Sequence, residues 1–363
     1  MSKKIVVIAA GGTGGHLFPA AAFAEEMFRR GWRVFLMTDA RGRRYAEGFP
    51  AERVEDVAAA SISGNPFKTI PALFKIMRGI DAAKKRFSEQ RPALVAGFGG
   101  YPSFPALMAA RAHKIPILIH EQNAVLGRVN RAMATSAAVV ACGFERLDRL
   151  PAKAAAHKHV VGNPVRLPIL AVRERPYPEA PAGARMNLLI IGGSQGARVF
   201  GEVIPEAIAM LPQALRGRLD VAHQVREEQV AAVRKVYQKA KVNAEVAPFF
   251  TDMGQRLGAA HLVISRAGAS SVTELQVAGR PAILVPFAAA ADDHQTANAE
   301  GLTAVGAADL FTEDEFAPGV LAATLERRLS DPHALAVRAA AARAAAKPEA
   351  AKTLADLAEG VCE

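Results

Sequence analysis

The chain has 363 residues, 51% of them hydrophobic and 22% charged, which supplies ample material for folded cores and excludes a disordered protein. Its formal charge of +10 is uneven: residues 1–165 hold 24 basic and 12 acidic side chains and the remainder 21 and 23, so an anionic partner is expected for the first half alone. With only Cys142 and Cys362, a disulfide framework and a four-thiolate zinc site are both excluded, and a reducing compartment is the simplest home.

The apolar run Ile5–Ala10 meets glycine after six residues, too short for a secretory signal or a membrane span, and reads as a buried first strand. Gly11-Gly12-Thr13-Gly14-Gly15-His16 follows. Its glycines allow backbone N–H groups to approach an anion at the start of the next helix, yet a merely tight strand-to-helix turn fits equally. The dinucleotide spacing G-x-G-x-x-G fails, because the third glycine position is Leu17, and no Lys-Ser or Lys-Thr completes a Walker pattern. His16 can meet a ligand or serve as an ordinary structural histidine.

Val34–Thr38 is the next predicted strand, and residues 67–87 the next distinctive helix. There Phe67, Ile70, Leu73, Phe74, Met77 and Ile80 are interleaved with Lys68, Lys75, Arg78, Lys84, Lys85 and Arg86. Ile70, Phe74, Met77 and Ile80 share one helical face, which either packs inward or, beside so many cations, forms an interfacial membrane element. Nucleic acid is the weaker partner for this charge, since no RNA-recognition motif, zinc finger or aromatic platform accompanies it.

Strands are predicted at Leu94–Ala96, Ile115–Ile119 and Val139–Cys142. The first leads into the loop GFGGYPSFP, residues 97–105, either a surround for a bulky acceptor or a rigid turn. The second ends in His120-Glu121-Gln122-Asn123, four polar residues that are costly to bury unpaired and so are expected to face a cleft. Leu167 to Arg185 is Pro-rich and aperiodic, as a linker would be.

The pattern then restarts. Asn187–Ile191 leads into Gly192-Gly193-Ser194-Gln195-Gly196-Ala197-Arg198, so two halves open alike and two Rossmann-like domains are predicted. Strand Leu262–Ser265 precedes Arg266-Ala267-Gly268-Ala269-Ser270-Ser271-Val272-Thr273-Glu274, a small-residue turn into a helix. By spacing alone Ser271 and Glu274 make a capping box, while a carboxylate at that depth also suits the hydroxyls of a ribose. After strand Ala282–Pro286, Asp292-Asp293-His294 reads as solvated loop rather than a metal site. No D-x-D clamp and no G-x-S-x-G occur, so neither a metal cofactor nor a serine nucleophile is expected. The Ala-rich end, residues 334–357, predicts two helices interrupted at Pro348.

The ordered set GGTGGHLFPA, GFGGYPSFP, HEQNAVLGRVNR, GNPVR, GGSQGAR, SRAGASSVTEL and DDHQTANA resembles the MurG family within glycosyltransferase family 28, the bacterial N-acetylglucosaminyltransferases that complete lipid II in peptidoglycan synthesis. The resemblance runs from residue 11 to 299 and implies an α/β GT-B fold, two Rossmann-like domains with parallel sheets facing across a cleft. On that basis residues 1–165 are expected to bind acceptor and membrane, and residues 166–344, including the linker, to bind UDP-GlcNAc. The C-terminal helix, about 345–363, is expected to pack back on the first domain.

Carried over motif by motif, the resemblance implies donor contacts at Thr13, Gly14, Gly15, Asn123 and Arg166. Others fall at Ser194, at Phe250 through backbone groups that read uracil, at Ala269, Ser270, Ser271, Val272, Thr273 and Glu274, and at Gln295. It makes Glu274 a ribose ligand, against the capping preference. His16 is the first candidate for the catalytic base and Glu121 the second. The implied partners are UDP-GlcNAc, lipid I on undecaprenyl diphosphate, an anionic membrane surface and a cell-wall synthesis complex, with no nucleic acid. The implied location is the cytoplasmic face of the inner membrane. Competing readings are another GT-B transferase acting on a membrane lipid, a noncatalytic nucleotide- or lipid-binding module, and a nicotinamide oxidoreductase already disfavoured by the glycine spacing.

Overall fold

The computed structural model describes residues 3–12, 14–44, 46–60, 66–181, 183–193 and 196–363, the side chains of 66–68 and 291 excepted, so Thr13 and Ser194 lie outside the described residues. The chain divides into two compact units, Met1–Arg166 with Lys347–Glu363, and Leu167–Ala346.

In the first unit the strands are β1 Ile5–Ala9, β2 Arg33–Thr38, β3 Arg53–Asp56, β4 Leu94–Gly97, β5 Ile117–Glu121, β6 Val139–Cys142 and β7 Lys158–Val160. The helices of its N-terminal part are α1 Gly14–Arg29, α2 Ala40–Arg43, α3 Pro66–Glu89, α4 Ser103–Ala112 and α5 Arg128–Met133. All strands pair in parallel in the order β3-β2-β1-β4-β5-β6-β7. β1 is buried throughout because both faces of the sheet are covered, which is why its sequence reads as an unbroken apolar run. Val6 and Ile8 join Leu17, Phe23 and Met27 of α1 on one face, while Ile5 and Val7 join Ala83 and Phe87 of α3 and Leu107 of α4 on the other.

The second unit repeats the plan. Its strands are β8 Met186–Ile191, β9 Leu219–Gln224, β10 Asn243–Ala247, β11 Leu262–Ser265, β12 Ala282–Leu284 and β13 Ala308–Leu310, parallel in the order β10-β9-β8-β11-β12-β13. Its helices are α6 Leu167–Arg173, α7 Arg198–Met210, α8 Gln213–Arg216, α9 Val230–Lys239, α10 Met253–Ala259, α11 Ala269–Ala278, α12 His294–Thr303, α13 Pro318–Leu329 and α14 Pro332–Ala344. The supposed linker is therefore partly structural. Ile169 and Val172 of α6, three residues apart, are buried, and the Tyr177 hydroxyl donates to the His261 carbonyl at 2.7 Å. Arg280, fully buried under Tyr177, donates to the carbonyls of Leu257, Gly258, Ala278 and Gly279 at 2.7 to 3.0 Å, so the last turns of α10 and α11 are tied by one cation. Burial pushes its pKa down to about 10, which still leaves it charged at neutral pH.

The chain ends in the first unit with α15, Ala350–Gly360, after a break at residues 345–349 that contains Pro348. Leu354, Ala355 and Ala358 are buried with Phe23, Met27 and Trp32. Arg30 pairs with Asp356 at 2.7 Å and Glu359 at 2.6 Å, and Trp32 Nε1 donates to Glu359 at 3.0 Å. Leu354→Ala should therefore cost about 2–5 kcal/mol of stability, the usual range for a buried leucine. Urea unfolding followed by the emission of Trp32, the chain's one tryptophan, measures it. A midpoint equal to the parent's would show that α15 adds nothing to the fold.

α3 departs from the inward-packing alternative. Its small face, Ala72, Gly79 and Ala83, is the buried one, and a Cβ on Gly79 would stand 2.1 Å from the Ala58 carbonyl oxygen. Ile70, Leu73, Phe74 and Met77 are exposed, Phe74 to 65%, alongside exposed Lys75 and Arg78. Phe67 and Lys68 belong to the helix, but their side chains lie outside the described residues. Among the described residues no helix is long and apolar enough to cross a membrane.

Candidate active site

In a parallel sheet the natural ligand position lies outside the carboxyl ends of the strands, where the strand order reverses. In the first unit that point is between β1 and β4, and it brings together the first glycine turn and the loop after β4. The contact is close. A Cβ on Gly11 would stand 2.3 Å from Pro102 Cγ, and one on Gly100 would stand 2.9 Å from the Gly11 carbonyl oxygen. Gly12, Gly99 and Gly100 all have positive φ, which side chains resist. GFGGYP is thus a rigid partner of GGTGGH. The Gly12 N–H donates to Asp39 Oδ1 at 3.3 Å, so one of the turn's donors is already engaged. Gly14 and Gly15 open α1, Gly14 buried and Gly15 exposed.

His16, in the first turn of α1 and half-buried, lies against Gly99, whose Cβ would stand 3.3 Å from its ring. Its Nδ1 is 3.0 Å from Gln122 Oε1. The HEQN cluster corrects the expectation of a cleft-facing polar group. β5 runs two residues further than predicted, with His120 and Glu121 paired in register with Ala141 and Cys142, and His120, Glu121 and Gln122 are all buried. They are affordable there because they satisfy one another. His120 Nε2 is 3.0 Å from the Gly162 carbonyl oxygen and its Nδ1 3.0 Å from Gln122 Nε2.

Glu121, 2% exposed, accepts from the N–H groups of Asn123 and Gly127 and the side-chain amides of Asn123 and Asn130 at 2.9 to 3.2 Å. Four donors converge on its two oxygens, so it holds the 123–130 loop in place. Asn123, half-buried, is fixed by the same carboxylate. Asn163 of GNPVR donates to the Gln122 carbonyl at 3.0 Å, and the Arg166 guanidinium lies over the Phe18 ring at 4.3 Å. Arg166 thus packs within the first unit rather than heading the second.

In the second unit the strand order reverses between β8 and β11. There the turn after β8 runs through Gly193 and Gly196, both of positive φ, and Gln224 Nε2 donates to the carbonyls of Gly193 and Pro248 at 3.3 and 3.2 Å. The turn after β11 leads into α11. Gly268 is its N-cap, in extended conformation, and has no side chain with which to cap the helix. The capping-box alternative fails on this geometry: Ser271 is the third helical residue rather than the cap, and Glu274 sits in the second turn, beyond the reach of that motif. Among the described residues Ser270 Oγ is buried without a hydrogen-bond partner. Ala269, Val272 and Thr273 are buried, Ser270, Ser271 and Glu274 half-buried.

Neighbouring parts frame this helix start. Asn298 of α12, fully buried, donates to the Ala267 carbonyl at 3.1 Å, and Gln295 Oε1 accepts from the Phe287 N–H at 2.9 Å. Arg266 reaches the carbonyls of Val285 and Pro286 at 3.1 Å each and pairs with Glu313 at 2.5 Å. The Phe250 ring is buried beneath Arg256, whose guanidinium lies 3.9 Å from the ring centre, which leaves backbone groups as what that position can offer a ligand. Gln224 and Arg266 are marked in the sequence only as polar residues at the carboxyl end of a strand. Among the described residues no group of three or more His, Cys, Asp or Glu side chains is placed to hold a metal.

Residues 6–142 match the glycosyltransferase family 28 N-terminal domain and residues 187–354 the glycosyltransferase family 28 C-terminal domain. The chain is 52% identical over 362 residues to a protein of Maricaulis maris (strain MCS10) named UDP-N-acetylglucosamine--N-acetylmuramyl-(pentapeptide) pyrophosphoryl-undecaprenol N-acetylglucosamine transferase, covering 99% of this chain and 98% of the relative. A relative of the same name from Rhizobium johnstonii (strain DSM 114642 / LMG 32736 / 3841) is 47% identical over 365 residues, 99% of this chain and 96% of its own. Among solved structures, MurG of Acinetobacter baumannii matches with a TM-score of 0.80 and 34% identity over 98% of this chain and 99% of that one. UDP-GlcNAc 2-epimerase from Neisseria meningitidis, bound to UDP-GlcNAc, matches at 0.69 with 14% identity over 98% and 100%, a likeness of fold alone.

Proposed function

The chain belongs to glycosyltransferase family 28, and on that premise we propose that it transfers N-acetylglucosamine from UDP-GlcNAc to the 4-hydroxyl of the MurNAc-pentapeptide of lipid I, with inversion, yielding lipid II and UDP. The observation that carries the donor half is the start of α11. A helix of ten residues begins there on a glycine without a side-chain cap, with the Ser270 hydroxyl unpartnered among the described residues and Glu274 one turn further in. Its first N–H groups and the positive end of its dipole suit a diphosphate, and the carboxylate suits the two hydroxyls of a ribose.

In the reaction the acceptor oxygen forms a bond to the anomeric carbon as the bond from that carbon to the diphosphate breaks. Positive charge develops on the sugar and negative charge on the departing UDP. Preorganised dipoles at the α11 N-terminus hold that negative charge without rearranging during the step. His16 takes the hydroxyl proton: Gln122 engages its Nδ1, and Nε2 has no hydrogen-bond partner among the described residues.

The exposed apolar face of α3, bordered by Lys75 and Arg78, suits the anionic surface on which lipid I resides, each cation adding about 1 kcal/mol near such a leaflet. The Lys75→Glu, Arg78→Glu double variant is expected to sediment weakly with anionic vesicles while turning over a short-chain soluble acceptor at nearly the parent rate. Vesicle binding equal to the parent's would remove α3 from the membrane surface. The reading as a whole is tested by radiolabelled GlcNAc transfer from UDP-GlcNAc to lipid I. Labelled lipid II is expected only with acceptor present, and UDP release without acceptor-bound label would contradict it.

A further inference from the structure

Free histidine carries its proton mainly on Nε2, so a histidine that must accept a proton at Nε2 has to be held in the other tautomer, and its partner at Nδ1 decides. At His16 that partner is Gln122 Oε1. Which end of an amide faces a histidine is normally open, but here two backbone carbonyls settle it. A carbonyl only accepts. Gln122 Nε2 lies 3.1 Å from the His120 carbonyl oxygen, which orients the amide with its NH₂ inward and its oxygen toward His16. His120 Nε2 lies 3.0 Å from the Gly162 carbonyl oxygen, so Nε2 carries the His120 proton and Nδ1 is left to accept from Gln122.

The far end of this chain is firmly built. Gly162 has a positive φ, its N–H donates to the Cys142 carbonyl, and a Cβ there would stand 2.6 Å from Lys347 Cβ, where the C-terminal segment rejoins the first unit. His120 is fully buried and its ring lies 5.3 Å from the Phe98 ring. Burial pushes its pKa down to about 4, so it stays neutral at physiological pH and keeps an acceptor at Nδ1.

We infer that Gln122 and His120 are positioning residues that hold His16 in its Nδ1–H tautomer and so leave Nε2 as the atom that takes the acceptor's proton. This rests on the reading of His16 as the base. No proton travels along the chain: Gln122 Oε1 accepts from His16 Nδ1 both before transfer, when the ring is neutral, and after, when it is imidazolium. The arrangement does for His16 what a carboxylate does in a Ser-His-Asp triad, with a neutral amide in the carboxylate's place.

The test is ¹⁵N NMR of the full chain labelled at histidine, with the His16 signals identified by their absence in His16→Asn, together with steady-state kinetics. At pH 8 the parent is expected to show His16 Nδ1 at a protonated shift and Nε2 at an unprotonated one. Gln122→Met should scramble that assignment and lower kcat by roughly tenfold or more, a part of what a general base supplies, with KM for UDP-GlcNAc within about twofold. A parent spectrum with the proton on Nε2 would overturn the inference even where Gln122→Met fails to fold. If His16→Ala loses its activity while the parent spectrum shows Nε2–H, the base reading stands and the positioning role falls. If His16→Ala keeps kcat within tenfold of the parent, both fall.

Discussion

Replacing His16 with alanine is expected to lower kcat by about 10²- to 10⁴-fold, the contribution typical of a general base, with KM for UDP-GlcNAc little changed. Two features place the effect on kcat. His16 sits at the strand-order reversal of the first unit, whereas donor recognition is assigned to the start of α11 in the second. Its ring is half-buried and its one hydrogen bond among the described residues is to Gln122, so its removal leaves Gly11 and the loop 97–102 supported by their own close packing. Glu121→Gln provides the contrast. It keeps one acceptor oxygen but sets an amide NH₂ against N–H donors of the 123–130 loop, so the chief expected loss is of folding stability, of order 1–3 kcal/mol for a buried group left mispaired. A collapse of kcat in Glu121→Gln at unchanged stability, with His16→Ala active, would exchange their roles.

Glu274→Ala is expected to raise KM for UDP-GlcNAc by roughly 10- to 150-fold, since hydrogen bonds to a charged group are worth about 1.5–3 kcal/mol. The loss should shrink when the donor lacks ribose hydroxyls, because the carboxylate then has less to hold. The prediction separates the ribose role from the capping role that spacing alone favours. A capping partner would cost stability and leave donor affinity alone, and on this helix the cap is Gly268, three residues before Ser271. An unchanged KM with a lowered melting temperature would contradict the ribose assignment.

The buried strands were legible because each is covered on both faces. β1 and β6 are unbroken apolar runs, β11 is one up to its final Ser265, and the observed limits fall within a residue of those read from the sequence. What escaped is what burial does not mark. β3 and β10 are edge strands carrying Arg53, Glu55, Asp56 and Glu245, charges that keep an edge from pairing with another chain and hide its strand character. β9 alternates Leu219, Val221 and buried His223 with Asp220 and Ala222, and its histidine, bonded to the Tyr237 hydroxyl at 2.9 Å, disguised a core position.

At the candidate site the two glycine turns were legible because each lies between an apolar strand and a helix. The HEQN cluster was misjudged for a specific reason. Sequence gives the cost of burying four polar groups but not the partners that offset it, and those partners, Gly162, Asn130 and Asn163, lie 9 to 42 residues away. The capping box was misread for a similar reason, since Gly268, which carries no side chain to announce itself, starts the helix earlier than Ser271 would.

The most direct test of donor binding at the start of α11 is a crystal of the full chain soaked with UDP. The diphosphate is expected at the N–H groups of Ala269, Ser270 and Ser271, with both ribose hydroxyls within hydrogen-bonding distance of the Glu274 carboxylate. Ordered UDP bound elsewhere, with Glu274 out of reach of the ribose, would contradict that assignment.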